Sequence, residues 1–440
     1  MAMKITVIGL GYLGATHAIA MAELGHEVIG IEANPKRLSD LQSGIVPFFE
    51  PGLDEALQGV LAKGNIKFQE NHTDESLEAD LHFLCVGTPQ LPGSYAANTE
   101  YLHSAVKALA PYLREDAVVA GKSTVPVGTS AILAEVLEEA AGFRPHLAWN
   151  PEFLREGTAL EDSLRPDRIV IGVNDERSEE LLRKVYEPIT DLGTPFLVTD
   201  IPTAELVKVA ANSFLATKIS FINAMAEIAE VSGADAVALA EAIGYDERIG
   251  NKFLRNGIGF GGGCLPKDIR AFMARAEELG VGSAVDFLDD IDKVNLRRRS
   301  RVVNLLEREL GTLAGKRILV LGAAFKPDSD DLRDSPAIAV AKLILAEGAD
   351  VVIHDPISLE NVRSAHPEFK TEQELLAAAT GADAIVLATE WQEYRHADVP
   401  AALASVVSNK LVIDGRNALK VDLWQQAGYR LIALGRNVEA

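Results

Sequence analysis

The chain has 440 residues, of which 48% are hydrophobic and 24% are charged, so it is long enough for two or three domains with separate cores. Its formal net charge of −22 at pH 7 argues against nucleic acid and anionic membranes as partners, and its nine scattered histidines predict no metal site. Two cysteines form no disulfide framework, and with no signal peptide or membrane-spanning run evident, we expect a cytoplasmic protein.

The first 200 residues alternate between short apolar runs and helical patterns. A strand is predicted from Lys4, a helix over 13–24 and a second strand over 27–32. Further runs fit the same parallel sheet and lie at 81–86, 117–120 and 146–149. We therefore expect residues 1–200 to form an α/β domain with helices on both faces of the sheet.

A glycine-rich turn, Gly9-Leu-Gly11-Tyr-Leu-Gly14, joins the first strand to the first helix. These glycines permit a tight turn, the approach of a pyrophosphate to the backbone, and close packing of helix on strand. Glu32 ends the second strand, where a carboxylate binds ribose hydroxyls and repels a 2′-phosphate. The pattern predicts NAD as cofactor, and Arg37 lies close enough to stack on its adenine.

Two loops in this domain follow predicted strands and carry polar side chains. Asn150-Pro-Glu-Phe-Leu-Arg-Glu-Gly157 offers Glu152 and Glu156 as general bases, although Glu156 reads equally well as a solvated carboxylate. Thr124 could hold a water molecule, and Thr129 fits a helix N-cap. Cys85 lies within an apolar run and is expected to be a small buried side chain.

Residues 203–231 predict one long helix that is apolar around most of its circumference. Such a helix is buried, either between domains or against another subunit, so we expect a homodimer or a higher homo-oligomer. Lys208 and Asn212 are spaced i, i+4 on it and could clamp an oxyanion, although a structural ion pair with a satisfied amide is the alternative. A second helical stretch follows at 286–310.

Residues 258–268 place Cys264 after a glycine cluster and before a proline that suits the first turn of a helix. A helix N-terminus favours the thiolate form of a cysteine. Lys267 and Asp268 lie within one turn of the thiol. The segment predicts a covalent nucleophile beside a nicotinamide cofactor, which suggests oxidation through a thioester.

The last segment, from residue 316 onward, returns to the α/β pattern but lacks the dinucleotide turn. Lys326, Arg333 and Arg416 follow predicted strands of this second sheet, and together they suggest a phosphate site. The predicted fold is therefore α/β, with two Rossmann-like doubly wound domains joined by a central helical domain with a long helix. The predicted boundaries are 1–200, 201–300 and 301–440.

Eight motifs in this order resemble the UDP-glucose/GDP-mannose dehydrogenase family, and the bacterial enzymes that act on UDP-glucose most of all. They are GLGYLG (9–14), FFEPGL (48–53), STVPVGT (123–129), NPEFLREG (150–157), ELVKVAANSFLATKISFIN (205–223), GFGGGCLPKD (259–268), AAFKPDSDDLRDSP (323–336) and DGRN (414–417). The resemblance implies an NAD-binding domain, a central dimer-forming domain and a nucleotide-sugar domain.

The resemblance also implies a reaction, in which a C6 alcohol is oxidised by two NAD⁺ to a carboxylate, as in UDP-glucose to UDP-glucuronate. Cys264 would be the nucleophile, Lys208 and Asn212 would stabilise oxyanions, Thr124 and Asp268 would hold water, and Glu152 would assist thioester hydrolysis. The implied NAD-binding residues are Gly9, Gly11, Tyr12, Leu13, Gly14, Glu32, Arg37, Val86, Thr88, Thr124, Glu156 and Arg333. The implied substrate-binding residues are Glu152, Phe153, Leu154, Lys208, Asn212, Arg248, Phe260, Gly261, Phe325, Lys326 and Arg416, with Arg248 reaching the site of the partner subunit.

Three alternatives stay open. Leu265 follows the cysteine where many UDP-glucose enzymes have Phe, and Cys-Leu-Pro-Lys-Asp also occurs in relatives that oxidise GDP-mannose or UDP-N-acetylmannosamine. A two-electron 3-hydroxyacid dehydrogenase would share the first domain and the helix lysine, but it needs neither Cys264 nor a third domain. A non-catalytic protein that binds sugar nucleotides is disfavoured by the presence of Cys264, Lys208 and Asp268.

Overall fold

The structure is a computed structural model that describes residues 2–436. The chain forms two compact units. The first comprises the chain up to Ala211 together with Ala274–Gly280, and the second comprises Asn212–Met273 and the chain from Val281 onward. Among residues 2–436, no helix combines the length and the apolar character needed to span a bilayer.

The first unit alternates strands and helices almost throughout. Its elements are β1 (Lys4–Ile8), α1 (Tyr12–Glu23), β2 (Glu27–Ile31), α2 (Pro35–Gln42), α3 (Leu53–Lys63), β3 (Ile66–Gln69), β4 (Leu81–Leu84), α4 (Glu100–Leu109), β5 (Val118–Gly121), α5 (Thr129–Ala141), β6 (His146–Trp149), α6 (Ala159–Leu164), β7 (Ile169–Val173), α7 (Glu176–Thr190), β8 (Phe196–Thr199) and the start of α8 (Ile201–Ser232).

These strands form one eight-stranded sheet in the order β3-β2-β1-β4-β5-β6-β7-β8. The first six strands of this order follow the Rossmann pattern, in which the order reverses between β1 and β4 and ligands bind at the carboxyl ends there. The strands predicted to form a parallel sheet all pair in parallel, and β7, which was not predicted, pairs with β6 antiparallel. The sequence reasoning also missed β3, β7 and β8, and it extended β4 by two residues.

Both faces of this sheet are covered by apolar side chains. Alternate residues of a strand point to opposite faces, so Val118 and Ala120 of β5 join one cluster while Val119 joins the other. The fully covered sheet explains why its strands read as continuous apolar runs rather than alternating ones.

The second unit contains most of α8 and a second sheet. Its other elements are α9 (Ala236–Gly244), α10 (Leu265–Glu278, whose last turns belong to the first unit), α11 (Phe287–Leu310), β9 (Arg317–Leu321), α12 (Pro336–Ala346), β10 (Asp350–His354), α13 (Leu359–Ala365), β11 (Lys370–Thr371), α14 (Leu375–Ala379), β12 (Ala384–Leu387), α15 (Val399–Leu403), β13 (Leu411–Asp414), α16 (Val421–Gln426) and β14 (Arg430–Ala433).

The second sheet has six strands in the order β11-β10-β9-β12-β13-β14, and all of its pairs are parallel. It repeats the strand pattern of the first sheet and is also covered on both faces. The predicted fold class is therefore confirmed, with two Rossmann-like sheets and one long helix. The boundaries predicted at 200 and 300 stay predictions.

The long helix α8 has two unlike faces within the second unit. One face is buried, where Ala216 packs with Phe260 and Ile269. The other face exposes large apolar side chains, with Phe214 at 66%, Phe221 at 48% and Ile228 at 56% of their accessible surface. This face is not buried within the single chain, and its burial against another subunit stays a prediction.

Buried histidines make the first unit sensitive to acid. Burial lowers the pKa of His72 to about 4 and the pKa of His82 to about 3. The Nδ1 atom of His82 lies 2.8 Å from the hydroxyl of Thr6, whereas its Nε2 atom has no hydrogen-bond partner. The folded unit therefore binds fewer protons than the unfolded chain between about pH 4 and the ordinary histidine pKa of about 6.5.

We expect the free energy of unfolding to be level above pH 7 and to fall as the pH drops, by about 1.4 kcal/mol per pH unit for each buried histidine. Urea titrations between pH 7.5 and 4.5, followed by tryptophan fluorescence, would measure it, with Trp149 of β6 reporting on the first unit in a variant that carries Trp391→Phe and Trp424→Phe in the second. A His82→Gln variant should lose stability less steeply with acid. An unfolding midpoint that does not change over this range would contradict the prediction.

Candidate active site

The glycine-rich turn after β1 has the geometry of a pyrophosphate site. Gly9 has a φ of +85°, and its N–H donates to the carbonyl of Ile31 at 2.9 Å. A Cβ at Gly14 would lie 1.9 Å from the carbonyl oxygen of Gly9, so only glycine fits there, whereas a Cβ at Gly11 would meet nothing within 4 Å. No side chain caps the N-terminus of α1, which leaves its N–H groups facing the open turn.

The carboxylate of Glu32 follows β2 and is buried beside this turn. It accepts the N–H of Leu10 at 2.9 Å and the N–H of Asn34 at 2.8 Å, and Arg37 donates to it at 3.1 Å. A carboxylate has about four acceptor positions, so one remains for a ribose hydroxyl. The pairing of Arg37 with Glu32 was not predicted from the sequence, and stacking of Arg37 on adenine stays a prediction.

The ends of β4 and β5 are held together by side-chain hydroxyls. Thr88 donates to the carbonyl of Thr124 at 2.7 Å, and Ser123 donates to the carbonyl of Val86 at 2.6 Å. The side chain of Thr124 is half-buried at this edge of the sheet. Predicted cofactor residues from two neighbouring strands thus lie together.

The prediction that Thr129 caps α5 is wrong. Its hydroxyl donates to the carbonyl of Pro126 instead. The first N–H groups of α5 are bound by the carboxylate of Glu205 from α8, which accepts from Gly128 at 2.7 Å and from Ser130 at 2.8 Å. Burial raises the pKa of Glu205.

Lys208 and Glu152 form a buried ion pair. Their Nζ and Oε1 atoms are 2.9 Å apart, and Glu152 also accepts the N–H of Leu154 at 2.6 Å. The ring of Phe153 lies beneath the guanidinium of Arg168 at 3.8 Å. The loop over 150–158 is therefore bound to the first turns of α8.

Sequence reasoning missed Lys122, which lies between β5 and Thr124. Its ammonium group is buried and donates to the side-chain oxygen of Asn150 at 3.0 Å and to the hydroxyl of Tyr186 at 3.2 Å. Burial lowers the pKa of Lys122 to about 8. Its position just before the STVPVGT motif was the only available signal, because burial and the neutral partners arise from distant segments.

In the second unit, the loop before Cys264 packs each glycine against protein atoms. A Cβ at Gly261 would lie 2.3 Å from the carbonyl oxygen of Asp334, one at Gly262 would lie 2.9 Å from the ring of Phe325, and one at Gly263 would lie 2.4 Å from the guanidinium carbon of Arg333. The packing of the loop itself therefore requires glycine at 261 and 262.

Cys264 is exposed and directly precedes α10. One turn later, Asp268 is buried, and its N–H donates to the carbonyl of Cys264 at 2.9 Å. The carboxylate of Asp268 accepts the side-chain amide of Asn212 at 2.7 Å and pairs with Lys267 at 2.6 Å. Asn212, Lys267 and Asp268 thus form one polar cluster beside the thiol.

Phe260 and Arg416 take part in holding the same loop. The backbone of Phe260 exchanges two hydrogen bonds with the side chain of Asn295, at 2.7 and 3.1 Å, while its ring is buried. Arg416 donates to the carbonyls of Gly259, Phe325 and Ala388 at 2.9, 3.1 and 2.7 Å. Asn295 carried no sequence signal, because its role depends on a contact made 35 residues away.

The remaining predicted residues are more accessible. Arg333 is exposed and pairs with Asp331 at 2.7 Å, and Arg248 is exposed and pairs with Asp246 at 2.6 Å. Lys326 lies 5.5 Å from the centre of the Phe325 ring. Across the described residues, no group of three or more His, Cys, Asp or Glu side chains is arranged to hold a metal ion.

Comparison with known families places this architecture among nucleotide-sugar enzymes. Models of three domains of the UDP-glucose/GDP-mannose dehydrogenase family match the chain: the NAD binding domain over residues 3–190, the central domain over 202–297 and the UDP binding domain over 319–421. The first match confirms NAD as the predicted cofactor. The third agrees with a nucleotide-sugar partner.

Three similar proteins cover nearly the whole chain. A UDP-glucose 6-dehydrogenase of Rickettsia conorii is 40% identical over 99% of this chain and 100% of its own length. The solved structure of a UDP-glucose dehydrogenase from the archaeon Pyrobaculum islandicum is 37% identical with a TM-score of 0.89, over 99% and 98% of the two chains. That of a UDP-D-ManNAc dehydrogenase from Pyrococcus horikoshii is 28% identical with a TM-score of 0.84, over 99% of each chain.

The packing of Gly262 predicts that Gly262→Ala displaces the loop before Cys264. Gly262 has a φ of +84°, so the new Cβ would both strain the backbone and press on the Phe325 ring. We expect a loss of about 2–4 kcal/mol in the free energy of unfolding and a changed rate of Cys264 alkylation by a maleimide.

Gly381→Ala is the matched control for that variant. Gly381 has a φ of +76°, but its nearest neighbouring atom lies 3.9 Å from the new Cβ. It should lose only about 1–2 kcal/mol and leave the alkylation rate unchanged. Equal losses in the two variants, with equal alkylation rates, would contradict the role of the ring contact.

Proposed function

Since the chain belongs to the UDP-glucose/GDP-mannose dehydrogenase family and is an NAD-dependent dehydrogenase, we propose that it oxidises the C6 alcohol of UDP-glucose to the carboxylate of UDP-glucuronate. The reaction removes four electrons and uses two NAD⁺. The names of the similar proteins support this substrate. The proposal also assigns the three matched segments to NAD binding, to dimer formation and to binding of the sugar nucleotide.

The observation that carries the proposal is the position of Cys264. The thiol is exposed at the N-terminus of a 14-residue helix, at the end of a loop whose glycines are packed in place. Helical N–H groups at this end favour a thiolate. A simple alcohol oxidation requires no such nucleophile. In an oxidation to the acid, by contrast, the thiolate can retain the intermediate aldehyde as a covalent adduct.

Residues of the first unit would hold NAD, which supplies the electron acceptor for each of the two oxidations. The pyrophosphate would lie against Gly9, Gly11 and Gly14 at the N-terminus of α1, and Glu32 would bind the ribose. The other residues of the first unit proposed to bind NAD are Tyr12, Leu13, Arg37, Val86, Thr88, Thr124 and Glu156, and Arg333 is a further NAD contact that the family resemblance implies.

Cys264 would act between the two oxidations. Its thiolate sulfur adds to the carbon of the C6 aldehyde and gives a thiohemiacetal, and oxidation of that adduct gives a thioester. Water then adds to the thioester carbon, and the thiolate leaves as the carboxylate forms. Glu152 would accept the proton of this water, which Thr124 and Asp268 would orient.

Lys208 and Asn212 would donate to the oxyanion that forms at C6. The ammonium of Lys208 is held by Glu152 and the amide of Asn212 by Asp268, so each donor group has a defined position. Donors aimed at a developing oxyanion contribute about 10²–10³ to a rate. The alternative of a purely structural ion pair predicts no such contribution.

For the sugar nucleotide, the proposed contacts are those that the family resemblance implies. Lys326 and Arg416 are the proposed cations, although the three carbonyls bound by Arg416 leave it about two of its five donors. The other proposed contacts are Glu152, Phe153, Leu154, Arg248, Phe260, Gly261 and Phe325.

NADH formation with UDP-glucose, GDP-mannose, UDP-N-acetylmannosamine and UDP-galactose tests this function. We expect UDP-glucose to be preferred and two NADH to form per product. Preference for one of the other sugars would change the substrate and keep the chemistry. One NADH per product would instead identify a two-electron dehydrogenase, and no NADH with any sugar would favour a binding protein.

Replacement of the nucleophile tests the covalent step. Cys264→Ser should abolish UDP-glucuronate formation and leave at most the aldehyde-level product, because an alcohol is a far weaker nucleophile than a thiolate. Mass spectrometry of the product measures this. Cys85→Ala is the control, since that cysteine is buried and burial raises its pKa to about 12. Full glucuronate production by Cys264→Ser would refute the thioester.

The exposed face of α8 supports a homodimer. Phe214, Phe221 and Ile228 recur every seven residues, so they form one apolar stripe along the helix. Large exposed apolar patches mark interaction sites. We propose that two copies of α8 pack through this stripe.

Phe221→Asp should therefore convert the dimer to a monomer, because the pair of aspartates would bring two charges into the interface. Sedimentation velocity at micromolar concentration measures the mass. Leu343→Asp is the control, because Leu343 is also exposed but lies on α12. A mass that Phe221→Asp leaves unchanged would exclude the stripe as the interface.

A further inference from the structure

The FFEPGL motif places a buried carboxylate between two parts of the first unit. Glu50 is 6% exposed. Its Oε1 atom accepts the N–H of Ala159 at 2.7 Å, and its Oε2 atom accepts the N–H of Gly157 at 2.6 Å and the hydroxyl of Tyr12. No step of the proposed reaction uses this residue.

Tyr12 connects Glu50 to the dinucleotide turn. It is the first residue of α1, directly after Gly11, and its ring packs against Phe48 with the ring centres 4.7 Å apart. Burial, together with the bond to Glu50, raises the pKa of Tyr12 far above neutral pH. Its hydroxyl is therefore always a donor to Glu50 under working conditions.

The two backbone donors connect Glu50 to the loop over 150–158. Gly157 has a φ of +80°, and Ala159 begins α6. The same loop carries Glu152, which pairs with Lys208, and Arg155, which pairs with Asp162 at the far side of the turn. Glu50 therefore binds the end of this loop, whereas Lys208 binds its middle.

This arrangement requires a carboxylate. Both oxygens accept backbone N–H groups, so the amide nitrogen of a glutamine would face one of these N–H groups without a bond. All three donors to Glu50 are neutral, and a buried charge is costly unless several hydrogen bonds satisfy it. A less costly side chain could hold an ordinary loop. The Glu50 carboxylate instead fixes three segments relative to one another: its own, the start of α1 and the end of the loop over 150–158.

We propose that Glu50 is a positioning residue that links NAD binding at the dinucleotide turn to the order of the loop over 150–158. The inference rests on the proposed function only through the cofactor. A ligand at the N-terminus of α1 restrains the first turn of that helix, and Tyr12 is the first side chain of that turn. The restrained hydroxyl stabilises the conformation in which Glu50 holds Gly157 and Ala159, so NAD shifts the loop toward its ordered state.

Amide hydrogen exchange at Gly157 and Ala159, with and without saturating NAD, tests this link. In the wild-type protein NAD should slow exchange at both amides by about tenfold or more, because hydrogen bonds to a charged group are among the stronger ones. Tyr12→Phe keeps both amide bonds to Glu50, so its exchange without NAD should be close to wild type. Its response to NAD should shrink to about threefold or less.

Glu50→Gln should act differently from Tyr12→Phe. One amide loses its acceptor, so exchange should already be about tenfold faster without NAD. Asp175→Asn is the matched control, because Asp175 also accepts a backbone N–H, from Ser178 at 2.8 Å, in the same unit. It should keep the wild-type response at Gly157 and Ala159. Each variant is compared at NAD concentrations that saturate it, as determined by titration.

Two outcomes would overturn the inference. The first is that NAD leaves the wild-type exchange at these amides unchanged, and the second is that Tyr12→Phe retains the full response to NAD. Neither measurement requires turnover. If the wild-type protein forms no NADH from sugar nucleotides while NAD still slows exchange through Tyr12, the proposed function fails and the link stands.

Discussion

The loop before Cys264 packs so closely against its neighbours that some of its positions have no room for a side chain. This packing is the constraint on which the proposed site in the second unit depends. Gly261 and Gly262 lie against the backbone of Asp334 and the ring of Phe325, and neither has room for a Cβ, whereas a Cβ at Gly263 would meet only the end of the exposed Arg333 side chain. Packing therefore fixes the position of the loop, and with it the position of the Cys264 thiol that follows. Hydrogen bonds from Asn295 and Arg416 hold the residues that precede these glycines. The loop that ends at Cys264 is therefore held by three separate stretches of chain.

The two sheets show how one strand pattern can bind a dinucleotide or exclude it. Gly9 and Gly322 both have left-handed backbones after the first strand of their sheets, and each donates its N–H to the end of the neighbouring strand, at 2.9 and 2.8 Å. Glu32 and Asp355 then occupy matching positions after β2 and β10. Asp355, however, is fully buried and accepts five N–H donors, from Ala323, Ala324, Ile357, Ser358 and the Trp391 ring.

That saturation leaves Asp355 no position for a ribose hydroxyl, since a carboxylate has about four acceptor positions. The next helix, α12, begins at Pro336, and its N-cap residue Ser335 accepts the N–H of Ile338 and donates its hydroxyl to the carbonyl of Ala323 in the second turn at 2.6 Å. In the first unit the loops at the carboxyl ends of the strands are held by buried charges, among them Lys122 and Glu205, which stabilise the loops only because each charge is hydrogen-bonded. The two turns of the same fold thus differ in the number of donors around one carboxylate, with three at Glu32 and five at Asp355.

The amino-acid sequence by itself determined the two Rossmann-like sheets, the long helix and NAD as the cofactor, because apolar periodicity and glycine spacing are local signals, and it predicts Cys264 as a nucleophile from the glycines and the proline around it. It also placed Lys208 and Asn212 on one helix face. Only the tertiary structure decided their partners, the antiparallel β7, the exposed stripe on α8 and the use of Glu205 rather than Thr129 at the start of α5. Each of these depends on segments distant in the chain, and a hydrogen bond or a packed ring between such segments leaves no mark on the spacing of nearby residues.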